Sequence, residues 1–387
     1  MTALRWFTAG ESHGPELLSL LEGVPAGLPL TAAYIDQRLR RRQKGYGRGG
    51  RMKIETDHVE LSAGVRGGVT LGSPIAMRIE NADFASWTGR MGAAAFEVEP
   101  EPVTRPRPGH ADLSGGLKYD RRDLRDILER ASARETAARV AAGAVAERLL
   151  EACGIQVLGH VVGIGGIPCS PDPSLGFEAL REIVLASDLS TAGNEDPLRE
   201  AIHAAAHDGD TLGGEVEVLV VGAPPGLGSH VQWDRKLDGR LAQALMSVQA
   251  IKAVAIGAGF EAARERGSRV HDAIDFDEAT RTYPRRTNHA GGLEGGMTNG
   301  MPVVCRAAMK PIATLKRALP SVDVRTKESF AAAHERSDIC AVGAASVVCQ
   351  AMVALIMAQA LLEKTGGDSL AEVLRNLAAV RAAQEVW

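Results

Sequence analysis

From Arg38 to Lys53 the sequence carries eight basic residues and no acidic one: Arg38, Arg40, Arg41, Arg42, Lys44, Arg48, Arg51 and Lys53. Glycines interleave them in QKGYGRGGRM, residues 43–52. A run of this kind suits an anion, whether a small phosphorylated compound over which it closes or a nucleic-acid backbone. A solvated charged face is the plainer alternative. Tyr46 is the sole aromatic platform in the run and the formal net charge is -4, which favours the small ligand over nucleic acid. Two histidines stand in glycine turns, His13 in Gly10-Glu11-Ser12-His13-Gly14 and His110 in Arg105-Pro106-Arg107-Pro108-Gly109-His110. Imidazole exchanges a proton near neutral pH, and glycine lets a ligand approach the backbone. The arginines beside His110 suit the loss of a phosphate dianion. Taken alone, each could equally be a hydrogen-bonded turn histidine.

Glu129-Arg130-Ala131-Ser132-Ala133-Arg134-Glu135-Thr136 sets hydroxyls and arginines at one end of a helical stretch, a place suited to phosphate. Arg336-Ser337-Asp338 precedes an apolar helix, where Asp338 could serve as an N-cap. His203 and His207 have metal-binding spacing, but no Glu follows the first and no third ligand is evident. They read as a solvated helix face, and no metal is expected. Gly257-Ala258-Gly259-Phe260-Glu261-Ala262 matches a degenerate dinucleotide fingerprint, yet the chain soon runs into Arg266-Gly267-Ser268-Arg269. That leaves no room for the long helix a Rossmann unit needs, so a strand end with close packing is expected. On this chemistry alone the chain reads as an enzyme acting on a phosphorylated compound, with or without a phosphorylated cofactor.

The elements that must position these residues alternate between glycine- and proline-rich loops. Residues 15–22, 69–80, 214–221, 253–258 and 301–309 have strand character, and 31–42, 121–152, 233–247 and 344–364 read as helices. A composition of 45% hydrophobic and 24% charged residues fits an ordered fold, and 387 residues can bury a large core. The five cysteines are scattered and form no Cys-x-x-Cys pair, as expected of reduced thiols in a cytoplasmic protein. No signal-like stretch opens the sequence. Ala344 to Leu362 has the length of a membrane span, but Ser346, Gln350 and Gln359 favour a buried core helix. Gly23-Val24-Pro25-Ala26-Gly27-Leu28 echoes Gly222-Ala223-Pro224-Pro225-Gly226-Leu227, each followed by an Asp-x-x-Leu step, Asp36–Leu39 and Asp234–Leu237. The echo points either to an old duplication or merely to similar turns.

Read together, GESHGPELLSLLEGVPAGLPL (10–30), RRQKGYGRGGRM (41–52), RPRPGHADLSGGLKY (105–119) and ERASARETAARVAAGA (129–144) resemble the chorismate synthase family. So do GDTLGG (209–214), QAIKAVAIGAGF (249–260), NHAGGLEGGMTNG (288–300), MKPIATL (309–315) and ERSDICAV (335–342), in the same order. The resemblance implies an anti 1,4-elimination of phosphate from 5-enolpyruvylshikimate 3-phosphate, giving chorismate, a step of the shikimate pathway. It implies reduced FMN as cofactor with no net redox change, and NADPH as a source of electrons for the flavin. It further implies an α/β (α+β layered) fold, two antiparallel sheets with long helices between them, over 1–387 as one compact domain, a layout with which an echo of two similar halves is compatible. A homotetramer in the cytoplasm is implied as well, with no nucleic-acid or membrane partner.

Carried over residue by residue, His13 protonates or steadies the departing phosphate, His110 sits near the reduced isoalloxazine, and Asp338 assists removal of the ring proton. Ser12 and Ser132 complete the hydrogen-bond network. FMN binding maps to Arg130, Ala131, Ser132, Gln249, Ala250, Gly295, Lys310, Pro311, Ile312, Ala313, Thr314 and Arg336. Arg42 and Arg48 match positions given to NADP and could serve the substrate's anionic groups instead. Ala131, Ala313 and Gln350 depart from the usual serine, proline and glutamate of the family. Two other classes remain open at this point: a flavin reductase that consumes NADPH, and a basic-loop nucleic-acid binder.

Overall fold

The computed structural model describes residues 4–49, 56–332 and 338–386. The hairpin β1 (Arg5–Ala9) and β2 (Glu16–Glu22) leads into helix α1 (Ala32–Gln43). Strand β3 (Val59–Ala63), the ribbon β4 (Val65–Arg66) and β5 (Val69–Thr70), and strand β6 (Ile75–Glu80) follow. Helices α2 (Thr88–Met91), α3 (Asp112–Tyr119), α4 (Arg125–Ala131) and α5 (Thr136–Ala152) come next. Then come β7 (Gln156–Ile164), β8 (Ile167–Pro168), α6 (Phe177–Ala186), α7 (Asp196–His207), β9 (Gly214–Val221), α8 (Leu237–Met246) and β10 (Ile251–Ile256). The last stretch holds α9 (Gly267–Val270), the ribbon β11 (Leu293–Glu294) and β12 (Met297–Thr298), and β13 (Val303–Met309). The hairpin β14 (Pro320–Val322) and β15 (Ser329–Ala331) precedes α10 (Val342–Thr365) and α11 (Leu370–Glu385).

Period-two patterning makes the strands. In β2 the side chains of Leu17, Ser19 and Leu21 are buried while Leu18 and Leu20 face out. Among the described residues the strands form a four-stranded sheet, β1-β2-β6-β3, a five-stranded sheet, β10-β13-β9-β7-β8, and three two-stranded ribbons. This is a mixed helix-and-strand fold with more sheets than the two expected. Helix α5 packs on β1, β2 and β6, helix α10 packs on β7, β9 and β13, and the two helices pack on each other. A helix apolar all round must be covered all round. The most apolar 18-residue stretch of α10 is 89% buried, lying among α1, α5, α8, α11 and the five-stranded sheet. All five cysteines are free and buried.

Small residues permit this packing. A Cβ on Gly143 of α5 would collide with the backbone of Ala351 on α10, and one on Gly159 of β7 with the carbonyl of Ser346. Beside them Gln350 Oε1 accepts from Gly159 N–H at 2.8 Å and from Arg41 Nη1 at 2.6 Å. Arg41 thus meets an amide where a carboxylate is usual for the family. Burial pulls its guanidinium down to about 10, against an opposing push from Glu147.

The first sheet and its continuation are matched in the second. The order β1-β2-β6-β3 parallels β7-β9-β13-β10. Thr70 Oγ1 donates to the carbonyl of Pro25 and accepts from Leu28 N–H, and Thr298 Oγ1 does the same with Pro224 and Leu227. Arg38 reaches Glu147 and Glu151 on α5, as Arg240 reaches Gln359 and Glu363 on α10. The helix register expected from sequence is corrected. Asp234 lies in the 3-10 turn Trp233–Arg235, and the counterpart of Asp36-Gln37-Arg38-Leu39 is Asp238-Gly239-Arg240-Leu241.

Two expected elements are broken. The helix over 121–152 is interrupted at Ser132, whose backbone is extended and whose hydroxyl accepts from Arg134 N–H. The strand over 69–80 splits into β5 and β6 at Gly72, which has a φ of +81°.

Replacing Gly143 with Val should cost about 1–3 kcal/mol or more through overpacking. Gly89→Ala, where no heavy atom stands within 4 Å of the added carbon, should stay within about 0.5 kcal/mol. Thermal denaturation of the two variants checks this. Gln350→Glu should stabilise by about 1 kcal/mol by giving Arg41 a charged acceptor. A lowered melting temperature would mean that Glu147 already balances Arg41.

Candidate active site

The β1–β2 turn brings Ser12 and His13 against α4. Gly10 opens that turn with a φ of +103°, and a Cβ there would strike the Glu16 carbonyl. Ser12 N–H donates to the Glu129 carbonyl at 3.1 Å. His13 N–H donates to the Glu129 carboxylate at 2.9 Å, and His13 Nδ1 lies 2.8 and 3.0 Å from its two oxygens. The imidazole stacks on Trp87 with centroids 4.0 Å apart. Ser132 Oγ donates to Ser12 Oγ at 3.2 Å, so the helix break at Ser132 places its hydroxyl in the site.

Arginines adjoin this turn. Arg134 binds Asp57 through Nη1 and Asn81 Oδ1 through Nε at 2.9 Å. The second Asp57 oxygen takes Arg42 Nη2 at 3.2 Å. Arg42, Arg134 and Asp57 are all buried, and desolvation pushes Arg42 down to about 10 although Asp57 opposes it. Arg48 pairs with Asp338 at 2.9 Å, and Gly49 N–H donates to the other carboxylate oxygen at 2.6 Å. Asp338 is therefore not an N-cap: the cap position of α10 is Ala341, with no side-chain cap bond. The basic run is divided in use. Arg38 and Arg41 turn to acceptors in the core, Arg40 is exposed, and Arg42 and Arg48 join the site. Arg51, Lys53 and Arg336 lie outside the described residues.

His110 is held by a second carboxylate. Its Nδ1 bonds Asp112 Oδ1, while Arg107 Nε meets Asp112 Oδ2 at 3.0 Å and Arg107 Nη1 donates to Thr314 Oγ1 at 3.2 Å. Burial works to raise the Asp112 carboxyl, but the bonds from His110 and Arg107 hold it well below the usual carboxylate range. Lys310 Nζ reaches the Gly109 carbonyl, and Lys310 N–H donates to Ala250 at 2.9 Å. Ala250 sits at a φ of +67°, an uncommon conformation for a residue with a Cβ. Gln249 Nε2 donates to Glu135 at 2.9 Å, while its Oε1 is buried without a partner. Glu135 also takes Thr8 Oγ1 at 2.7 Å and Arg139, with Arg130 at 3.8 Å. Arg130 donates to the carbonyls of Gly10 and Thr8 at 3.1 and 2.9 Å.

These bonds and short runs of sequence join most of the expected residues: His110 to Thr314 through Arg107, Gly109 to Ala250 through Lys310, Gln249 to Arg130 through Glu135, and Arg134 to Ser12 and His13 through Ser132. Ala131 ends α4 beside Ser132, Ile312 accepts from Thr211 Oγ1 at 2.8 Å, Pro311 adjoins Gly213, and Ala313 adjoins Gly109. None of these bonds reaches Gly295. It forms the β11–β12 turn near His230, next to Gly296, which abuts Lys236 at the start of α8. Gln249 lies beyond the other end of that helix, a span of about 15 Å. His203 and His207 are exposed on α7. After Gly257 comes a 3-10 turn, Gly259–Arg264, and Gly257 packs on the backbone of His289 and Gly291, as expected for a strand end.

The sequence reading missed Glu129, Asp112, Asp57, Asn81, Trp87 and Glu135. Two carried a signal: Asp112 follows His110 by two residues, and Glu129 opens the segment containing Ser132. Nothing local marked Asp57 or Trp87.

The sequence profile of the chorismate synthase family matches residues 4–362. The chorismate synthase of Bacillus cytotoxicus is 55% identical over 381 residues, covering 97% of each chain. That of Pelobacter propionicus is 56% identical over 383 residues, covering 96% of this chain and 97% of its own. A crystal structure of chorismate synthase superposes with a TM-score of 0.81 at 44% identity, covering both chains in full. Sequence profile, relatives and structure thus agree that the chain belongs to the chorismate synthase family.

Proposed function

We propose that this chain is a carbon–oxygen lyase that eliminates phosphate from 5-enolpyruvylshikimate 3-phosphate, giving chorismate. The observation that carries the reading is the set of linked contacts around His13 and His110, in a chain whose residues 4–362 match this family. Four arginines, Arg42, Arg48, Arg107 and Arg134, are each tied to a carboxylate in or beside this network. Such pairs fix the cations in place before a polyanionic substrate arrives. Arg42 and Arg48 therefore read better as ligands of the substrate's carboxylate and phosphate groups than as NADPH contacts.

The residues fit reduced FMN as well. The orphaned Gln249 Oε1 is an acceptor of the kind a flavin imide N–H satisfies, and Lys310, Arg130 and the Thr314 hydroxyl suit a phosphate. Reduced FMN, when bound, supplies electron density that eases phosphate loss from a ring whose departing hydrogen no carbonyl activates. NADPH is the reductant proposed for the flavin. His13 delivers a proton to the departing phosphate. His110, kept in orientation by Asp112 and Arg107, donates on the cofactor side. Asp338 assists removal of the ring proton. Ser12 and Ser132 hold the hydrogen-bond network between His13 and Arg134.

The two parallel halves are read as a fused duplication that packs as one domain. The exposed Phe7, Leu18 and Leu20 on the outer face of the first sheet support self-association, proposed as a homotetramer, and the five free cysteines support the cytoplasm as its place.

Phosphate release measured anaerobically should require reduced FMN. Release at full rate without flavin would overturn the proposal. Under the same conditions His13→Ala and His110→Ala should each lower turnover by about 10²- to 10⁴-fold without unfolding. Asp338→Asn keeps the acceptor for Gly49 N–H but loses the charge facing Arg48. It should bind FMN, as followed by flavin fluorescence, and lose most of its single-turnover rate. A full-rate Asn variant would reduce Asp338 to an anchor of the basic loop.

A further inference from the structure

Nothing in the resemblance gives Glu129 a role, yet three groups of the Ser12-His13 turn bond to it. Ser12 N–H takes its carbonyl, and His13 N–H and His13 Nδ1 take its carboxylate. Its side chain is 1% exposed. A carboxylate only accepts, so the shared hydrogen belongs to Nδ1, and the proton His13 exchanges with a reacting group leaves from Nε2. The ring plane is set as well. Trp87 covers one face at an interplanar angle of 24°, and its indole N–H is tied to Asp83 at 3.2 Å.

The charged groups about this assembly come from α4 and α2. Arg125 Nη1 pairs with Glu129 Oε1 at 3.0 Å and stands 5.1 Å from the Trp87 ring centroid, and Arg90 stands 5.7 Å from it. Burial would raise the Glu129 carboxyl, but the bonds from His13 and the charge of Arg125 outweigh it and hold the group below its ordinary range. The carboxylate therefore faces the imidazole as an anion at neutral pH.

We propose that Glu129 is a positioning residue that fixes His13 as its Nδ1–H tautomer and aims its Nε2 at the group that takes the proton. This rests on the reading of His13 as the acid. The arrangement is an Arg–carboxylate–imidazole relay in which only the histidine meets the substrate, and it parallels Arg107–Asp112–His110 across the site.

Two measurements test it. The first is 15N NMR of the histidine side chains in the wild-type protein, with His13→Ala identifying the resonance. The neutral ring of His13 should be the Nδ1–H tautomer, and an Nε2–H tautomer would overturn the proposal without any Glu129 variant. The second is the rate of phosphate release for Glu129→Gln, which keeps shape and loses charge, and for Glu129→Asp, which keeps charge.

The Gln variant should lose about 10- to 100-fold at about pH 8. Glu129→Asp should recover most of that rate. In the Gln variant the 15N spectrum should show His13 losing its single Nδ1–H tautomer, which Glu129→Asp restores. A loss of rate with the tautomer unchanged, together with a lowered melting temperature, is what a purely structural carboxylate gives and would sink the proposal. If the NMR result is as expected but His13→Ala keeps its rate, the reading of His13 as the acid fails instead, and the two failures are told apart.

Discussion

Helices α5 and α10 touch backbone to backbone at Gly143 and Ala351, and the site depends on that contact. Each helix is covered by a different sheet on its other side. The turn before α5 carries Ser132, Arg134 and Glu135, and the approach to α10 carries Asp338. The spacing between these groups is therefore set by how closely two helices can approach. Alanine and glycine in both helices keep that distance short, as a larger side chain would push the layers apart. Gly159 repeats the device where β7 crosses α10. Packing chosen for its smallness is what lets the two ends of the site meet.

Within that frame the cations are held by acids, not by solvent. The chain has a net charge of -4, yet the site gathers Arg42, Arg48, Arg107 and Arg134. Their partners Asp57 and Asp112 are buried, and Asp338 is mostly shielded, so each guanidinium keeps one orientation. A buried arginine without such a partner would be costly, and one without an anion to bind would have little reason to be there. The same logic separates Arg38 from its neighbours. It is satisfied by Glu147 and Glu151 on α5 and contributes to packing instead of binding.

Much of this was legible in the sequence because the chemistry sits in contiguous loops. Ser12-His13, Arg107 to His110, Gln249-Ala250 and Lys310 to Thr314 are short runs whose residue types announce themselves, and the bonds described join them. What escaped was whatever depends on distant segments meeting. Asp57 owes its place to Arg42 and Arg134, which lie on α1 and before α5, and no local pattern marks a carboxylate that serves two arginines. The break at Ser132 was hidden as well, since apolar periodicity runs through 121–152 and only the hydroxyl's competition for Arg134 N–H interrupts it. Asp338 looked like a helix cap from position alone. Its real partner is Arg48, 290 residues away, with Gly49 at a separation of 289.

The repeated frame explains why one copy of it is not enough. The turn after β2 and the turn after β9 are built alike around Thr70 and Thr298, and the helices that follow are clamped alike by Arg38 and Arg240. The site residues that the two halves supply nevertheless differ. The first half supplies His13, Ser132 and Arg134, while the second supplies Gln249, Lys310 and Asp338. Gln249 reaches across to Glu135, and Arg48 reaches across to Asp338, so each half completes the other's site. If the halves arose by duplication, catalysis belongs to their junction, where the two sequences were free to diverge while the turns and clamps that hold the frame stayed the same.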